Sequence, residues 1–352
     1  MTRREDKSVN SKTEHSHIVV TFNIDEKEKE LLVKTIPERT SFSFLSELNE
    51  ENRKKALQAA DVLFSWNPQK ELSKDEYPLL TRLRFLQLLS AGADHVPFDD
   101  IPEGVKIASN VGAYAEPMAE HVLAMVLALA KQLLKNHDKL ARGEFNQFEI
   151  NKMVSGSTVG IIGFGGIGKA VAKLFRCLGC RIYAINSSGM TQEAVDFIGT
   201  LKDLDYVLKE SDIVVLSIAL NKQTRNLIGR RELELMKPDA VLVNVARAAL
   251  IGEAALFEHL VNNPHFKAGI DAWWVEPFGT GTFKMDHPFC ELPNFIGSPH
   301  NSAMVPGVIE RAVELAASNV CNFIQDKPIR GVVSPERTRI DRVSEANHDL
   351  IR

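Results

Sequence analysis

The stretch Thr158 to Leu178, TVGIIGFGGIGKAVAKLFRCL, decides the fold. It opens with a β-branched, apolar run, Thr158 to Gly163, that reads as a buried strand. It closes with apolar residues at Ile167, Ala170, Val171, Leu174, Phe175 and Leu178, whose steps of three and four make one helical face. Between them lies Gly163-Phe164-Gly165-Gly166-Ile167-Gly168, a G-x-G-x-x-G turn in the strand-to-helix setting that gives it meaning. In such a turn the first glycine permits the tight bend, the second lets a pyrophosphate approach the backbone, and the third lets the helix close on its strand. The amides that open the helix, aided by its dipole, then face the phosphates. A dinucleotide contacted by Gly163, Gly165, Gly166, Ile167 and Gly168 is the expected ligand.

Working outward, further strands are expected at Arg181 to Asn186, Asp212 to Ala219, Ala240 to Val245, Lys267 to Asp271 and Asn294 to Gly297. Helical patterns such as Arg231 to Met236 and Glu253 to Val261 separate most of them. Six strands with helical crossovers make a doubly wound parallel sheet of Rossmann type. Upstream, His17 to Ile24, Asp61 to Trp66 and Leu83 to Leu89 read as strands, with a charged helix near Asn49 to Ala60. A long helix is expected from Ala115 to Lys135 and another from Gly307 to Phe323. The fold class is α/β, with about two domains in 352 residues.

Bulk composition narrows the function. The chain is 44% hydrophobic and 25% charged, with a formal net charge of -4, which gives no electrostatic footprint for nucleic acid or an anionic membrane. The longest near-continuous apolar run, Val122 to Ala130, falls short of the ~20 residues of a spanning helix and suggests a helix buried in a core or a subunit interface. Met1 to Ser16 is polar, lacks the apolar stretch of a secretory signal, and reads as a disordered tail of a cytoplasmic protein. Of the four cysteines only Cys177 and Cys180 have suggestive spacing; without a second pair they read as small apolar residues at a helix end, and no metal site is expected.

The second strand of the sheet ends in Asn186, Ser187 and Ser188, where an NAD-binding domain usually carries an acidic residue for the ribose 2′-hydroxyl. No carboxylate stands there to repel a 2′-phosphate and no arginine to attract one. NAD and NADP both stay open, with the balance toward NADP. The chemistry emerges from three later strands, because ligands of open α/β sheets lie beyond the strands' carboxyl ends. The fourth strand ends in Val245-Ala246-Arg247, the fifth in Asp271 with Glu276-Pro277 soon after, and the last in Ser298-Pro299-His300. A guanidinium can hold a substrate carboxylate with paired hydrogen bonds. An imidazole exchanges protons near neutral pH, and a carboxylate beside it orients it. Hydride transfer to a 2-keto acid needs those three groups.

The chain resembles the D-isomer-specific 2-hydroxyacid dehydrogenases over roughly His17 to Val333. The matching stretches are Gly160 to Gly168, Met236-Lys237-Pro238 through Arg247, Ala268-Gly269-Ile270-Asp271 through Glu276-Pro277, and Ser298-Pro299-His300. The resemblance implies a nucleotide domain, 113–301, inserted into a discontinuous flavodoxin-like substrate domain, 17–112 and 302–335, with a mobile tail at 336–352. It implies that Arg247 binds the substrate carboxylate and polarises the carbonyl, that His300 is the acid/base, and that Glu276 pairs with it. It places Asp271 against the nicotinamide amide, adds Ala219, Thr224, Val245, Ala246, Arg247 and His300 to the cofactor contacts, and gives the backbone at Ala91, Gly92 and Ala93 to the substrate carboxylate from the other domain. A homodimer is implied too, helped by the apolar helix Val122 to Ala130.

Departures bear on substrate and cofactor. Ala248 follows the arginine where glycine is usual, Gly252 stands where an acidic residue is common, and no proline lies near Ala219. Trp273 and Trp274 are bulky between Asp271 and Glu276 and read as packing residues. The expected reaction is reduction of glyoxylate or hydroxypyruvate by NAD(P)H. Alternatives are D-3-phosphoglycerate or D-lactate dehydrogenase and, from another class, a dinucleotide sensor similar to the C-terminal-binding corepressors. Formate dehydrogenase is disfavoured, since that branch carries Gln where Glu276 stands.

Overall fold

The computed structural model describes residues 15–36, 39–277 and 281–334. The tails expected at 1–16 and 336–352 lie outside these residues, apart from His15 and Ser16. The chain divides into two compact units, each built on a parallel sheet.

One unit takes residues up to Ser90, then His95–Ser109 and Val313–Val332. Its strands are β1 (Ser16–Val20), β2 (Thr40–Phe44), β3 (Val62–Ser65), β4 (Phe85–Leu88) and β5 (Lys106–Ala108). They pair in the order β2-β1-β3-β4-β5, the flavodoxin-like order. Ile18, Val19, Val20, Val62, Leu63 and Phe64 are fully buried, which is why the central strands read as unbroken apolar runs. The first strand is shorter than its apolar pattern. Asp25 already caps helix α1 (Glu26–Thr35), accepting from the Glu28 amide at 2.8 Å while the Glu28 carboxylate accepts from the Asp25 amide at 3.0 Å. Helix α2 (Glu50–Ala59) starts at Asn49, whose side chain accepts from the Asn52 amide.

The other unit takes Ala91–Asp94 and Asn110–Ala312 among the described residues. Its strands are β6 (Thr158–Ile162), β7 (Arg181–Ile185), β8 (Phe197–Gly199), β9 (Ile213–Leu216), β10 (Val241–Asn244), β11 (Lys267–Ile270) and β12 (Phe295–Gly297). They pair in parallel in the order β12-β11-β10-β9-β6-β7-β8. Chain direction across the sheet reverses between β6 and β9, the crevice where doubly wound sheets bind ligands. The sheet has seven strands rather than the expected six. The addition, β8, is a three-residue edge strand too short to show a period.

Apolar side chains pack on both faces. One face is covered by α4 (Ala115–Ala130) and α6 (Gly166–Cys177), with Val122, Val126, Val171 and Phe175 fully buried. The other is covered by α7 (Leu204–Glu210), α8 (Arg230–Leu235) and α9 (Glu253–Asn262). The apolar run Val122 to Ala130 is therefore spent largely inside this unit. The single helix expected over Ala115 to Lys135 is two helices. Gln132 adopts the left-handed region (φ 51°), and α5 (Leu133–Ala141) sets off at 54° to α4. The chain returning at 150–152 holds the break, accepting from Gln132 Nε2 at Ile150 and from Lys131 Nζ at Lys152. No single helix among the described residues is long and apolar enough to cross a membrane. Cys180 is buried and donates to the Val154 carbonyl, whereas Cys177 is exposed at the end of α6, so only Cys180 is the apolar filler expected of both.

Candidate active site

Gly163 sits at the carboxyl end of β6 with φ 105°, and a Cβ there would overlap the backbone of Ser217 and Ile218 that follows β9. Only glycine fits both the bend and this approach. A Cβ on Gly168 would strike the Gly163 carbonyl and press on Ile161 and Ser217, so this glycine closes the helix onto its strand. Ser217 Oγ donates to that same carbonyl at 2.8 Å and ties β9 to the turn. A Cβ on Gly165 would meet nothing within 4 Å. Gly165 is also the N-cap of α6, which has no side-chain cap and no acidic residue in its first turn. The opening amides of α6, at Gly166, Ile167 and Gly168, thus have no side-chain cap, and the positive end of the helix lies behind them. This cradle fits a dinucleotide pyrophosphate.

β7 ends in a polar turn. Asn186 Oδ1 accepts from the Ser188 amide (3.0 Å), the Ser188 hydroxyl (3.2 Å) and the Gly189 amide (2.7 Å), and its Nδ2 donates to the Met190 carbonyl. Asn186 is thereby engaged within its own loop, beside Ser187 and Ser188. After β9, Thr224 is buried, donates to the Ala219 carbonyl at 2.8 Å and accepts from the Asn221 amide at 2.8 Å. It shapes the 219–224 loop.

Three later strands end on the same edge, ahead of Arg247, Glu276 and His300. Asn244, fully buried at the end of β10, accepts from the Ala246 amide (3.0 Å) and donates to the Arg247 carbonyl (2.8 Å). That bracket turns Val245 and Ala246 and projects Arg247. Arg247 Nε and Nη2 donate to the two oxygens of Asp94, at 3.0 and 2.9 Å, and Nη1 donates to the Ala246 carbonyl at 2.9 Å. Burial opposes the charge on Arg247, but the Asp94 carboxylate outweighs it, with Glu276 adding to the effect, and the guanidinium's pKa rises above its ordinary value. By its contacts the stretch Ala91–Asp94 belongs to the nucleotide unit, although it follows the strands of the other in sequence. Ala93 is buried and Ala91 and Gly92 are half-buried.

His300 Nδ1 lies 2.7 Å from Glu276 Oε1, and the same oxygen accepts from the Trp273 amide at 2.8 Å. His300 is held in the left-handed region (φ 53°), uncommon for a residue with a Cβ and characteristic of over-determined functional turns. Asp271 is what over-determines it. Its carbonyl accepts from the His300 amide (2.9 Å), and its fully buried carboxylate accepts from Ser298 Oγ (2.5 Å) and the amides of Asn301 (3.1 Å) and Ser302 (3.2 Å). Ser298 is also bonded to His121 Nε2 on α4, at 2.9 Å. Trp273 completes the frame. Its indole N–H donates to the Ser298 carbonyl at 2.8 Å, and its ring lies so close over Gly297 that no Cβ fits there. Trp274 stacks on Phe289 and donates to the Ile251 carbonyl. Both tryptophans pack as their bulk suggested, and Trp273 also braces the His300 turn.

The structure therefore brings Arg247, Glu276 and His300 to one edge, around Asp271. Asp94, Asn244, Ser217 and His121 were not singled out from sequence. Asp94, Ser217 and His121 act through partners far away in the chain, and Asn244, though its partners are near, is an isolated Asn that carries no local signal.

A dinucleotide cradle and an Arg–Glu–His set on one edge of a doubly wound sheet define an NAD(P)-dependent oxidoreductase. Comparison with known proteins makes this definite. Residues 123–302 match the family model described as D-isomer specific 2-hydroxyacid dehydrogenase, NAD binding domain. The chain belongs to that family and is an NAD(P)-dependent 2-hydroxyacid dehydrogenase. It is 30% identical to a glyoxylate reductase of Thermococcus gammatolerans, over 74% of this chain and 79% of that protein. It is 30% identical to a hydroxypyruvate reductase of Thermotoga maritima, over 73% and 82%. The fold is shared with the D-isomer specific 2-hydroxyacid dehydrogenase of Lactobacillus delbrueckii in its NAD-complexed form, with a TM-score of 0.74, 22% identity and 91% and 100% of the two chains covered. It is shared equally with the Xanthobacter autotrophicus enzyme in complex with NADPH, with a TM-score of 0.75, 21% identity and 92% and 99% covered.

Proposed function

We propose that the protein reduces a small 2-keto acid to the 2-hydroxy acid, glyoxylate to achiral glycolate or hydroxypyruvate to its D-hydroxy acid. The observation that carries this reading is the 2.7 Å contact of His300 with Glu276 on the strand edge that also presents Arg247. The α6 amides and the Asn186–Ser188 loop hold the dinucleotide, with Ala219, Thr224, Val245, Ala246 and Asp271 along its path. The reduced nicotinamide supplies the hydride. Arg247 and the Ala91–Ala93 backbone hold the substrate carboxylate, and Arg247 polarises the carbonyl. With Nδ1 engaged by Glu276, His300 delivers a proton from Nε2 to the oxygen that becomes the hydroxyl. Acid catalysis of this kind contributes ~10²–10⁴-fold. Keto acid, reduced cofactor and one proton thus become hydroxy acid and oxidised cofactor.

The cofactor is NADPH or NADH, with the balance toward NADPH. The Asn186–Met190 loop holds neither a carboxylate nor a cation, and Asn186 is occupied by its own turn. The retained lean toward NADPH rests on the missing carboxylate.

The protein works as a homodimer. The support is the exposed apolar surface after α4, where Phe148 and Ile150 are 80% and 89% exposed, close to Phe145 and Met153. Leu133, Leu134 and Leu140 of α5 are exposed as well, and Lys135 and Lys139 of α5 tie this stretch down through Glu149. Apolar exposure on this scale marks an interaction surface. It replaces Val122 to Ala130 as the basis for association.

Absorbance at 340 nm with glyoxylate, hydroxypyruvate, pyruvate and bulkier 2-keto acids, each with NADH and NADPH, tests the reading. Turnover is expected with the smallest acids and lost in His300→Gln. Cofactor binding without turnover of any acid would favour a dinucleotide sensor instead.

A further inference from the structure

Asp94 has no part in the reaction just described, yet it makes the most complete side-chain contact in the site. Its two oxygens take Nε and Nη2 of Arg247, the side edge of the guanidinium. The Ala246 carbonyl takes one N–H of Nη1. A guanidinium has five N–H donors in a rigid plane. Three are engaged here, which leaves one on Nη1 and one on Nη2. One remaining donor on each terminal nitrogen is what a bidentate grip on a carboxylate needs.

The seat is confirmed from the backbone side. A Cβ on Gly92 would overlap Arg247 Nη2 and come within 2.9 Å of Asp94 Oδ1. Gly92 therefore stays bare so that the ion pair can lie against the chain. Arg247 and Asp94 are about one-third and one-fifth exposed, so the pair borders the open site rather than being sealed away.

We infer that Asp94 is the positioning residue of Arg247: it locks the side edge of the guanidinium so that the two remaining donors meet the carboxylate of the 2-keto acid. This rests on the reading of Arg247 as the substrate-carboxylate ligand. Asp94 is not a stand-in that substrate must expel, since two donors remain for the acid while Asp94 stays in place. Misplacing such a group by about 1 Å costs on the order of 10²-fold in rate.

The test uses the full-length protein with Asp94→Ala and Asp94→Asn, the best keto acid of the panel, and oxamate as a non-reacting keto-acid mimic. Oxamate binding to the enzyme–NADH complex is read from NADH fluorescence. Asp94→Ala is expected to lose on the order of 10²-fold in kcat/KM, mainly through KM, and at least tenfold in oxamate affinity. Asp94→Asn, which keeps the shape and one acceptor, is expected to fall between it and wild type. NADH affinity stays within error of wild type in both, which a merely structural role would not allow. Tighter oxamate binding and a lower KM in Asp94→Ala would show that Asp94 competes with substrate, and unchanged values would show that it does nothing; either overturns the inference alone. A wild-type protein that binds NADH but neither turns over a keto acid nor binds oxamate overturns the functional reading as well.

Discussion

Gly165→Ala and Gly168→Ala are equal in chemistry and opposite in expected effect. At Gly168 a Cβ would strike the Gly163 carbonyl and press on Ile161 Cγ2 at 3.0 Å and Ser217 Oγ at 3.2 Å. Backbone and a strand side chain cannot swing away, so the helix must shift. Overpacking of this kind costs ~1–3 kcal/mol. Loss of the Ser217 bond to Gly163 adds ~1 kcal/mol. Gly168→Ala should therefore lower stability by about 2–4 kcal/mol. At Gly165 the backbone is extended (φ -93°, ψ -151°) and the Cβ enters open space. Alanine there costs at most ~1 kcal/mol as a poorer N-cap. The same Cβ projects where the pyrophosphate would lie, so NADH affinity should fall at least tenfold, ~1.4 kcal/mol. Urea denaturation without ligand and NADH titration by fluorescence separate the two. If Gly165→Ala bound NADH as wild type does, or Gly168→Ala were as stable as wild type, the assignment of the cradle to this turn would fail.

Other changes probe the catalytic edge and the sheet. Arg247→Lys keeps the charge but cannot fork toward Asp94 and a carboxylate together, so kcat/KM should fall at least 100-fold (~2.7 kcal/mol) with NADH affinity unchanged. Trp273→Phe keeps the ring and removes the bond to the Ser298 carbonyl. Stability should drop by ~1 kcal/mol and kcat several-fold, as the His300 turn loosens, in paired melting and 340 nm assays. Asp212 accepts from Lys237 at 2.7 Å and from the Thr158 amide at 2.8 Å. Burial raises its pKa, but these two bonds prevail and hold it below the ordinary 3.8. A depressed carboxylate contributes stability that is fully present above its unfolded pKa and is lost as pH falls through the folded one. Asp212→Asn should thus cost ~1–2 kcal/mol at pH 7, a deficit that shrinks below about pH 4, as urea denaturation at pH 7 and pH 3 would show.

Sequence and structure agree where local pattern and tertiary role coincide. The β6 turn is legible because strand, turn and helix each leave their mark within twenty-one residues, Thr158 to Leu178. Arg247, Glu276 and His300 are legible because parallel strands must end on one edge. Edge elements are harder to read. β2 alternates Ser and Phe with every residue half-buried, while β5 and β8 have three residues each, too few for a period. Helix α1 is mostly charged, with Leu32 alone fully buried, so its apolar face is too thin to stand out. The break at Gln132 follows from a chain segment some eighteen residues on, Ile150, which no local window contains. Asp94 and Asn244 owe their roles to bonds with Arg247; for Asp94 that partner lies 153 residues away.

The discontinuity of the first unit governs the order in which the protein can be made. Asn319 donates to Gln87 Oε1 across 232 residues, and the Ser109 amide donates to the Gly331 carbonyl. Phe323 stacks on Phe85 at 4.5 Å. On the ribosome, β1 to β5 emerge early with α1 and α2 and then wait, without the segment Val313–Val332, while the whole nucleotide unit is synthesised. At ~5–20 residues per second that wait lasts on the order of 10–40 s. The nucleotide unit, whose strands are contiguous in the chain, can fold during it. The unit that begins first is finished last, and in the interval its strand edges are the kind of surface on which unfinished chains associate.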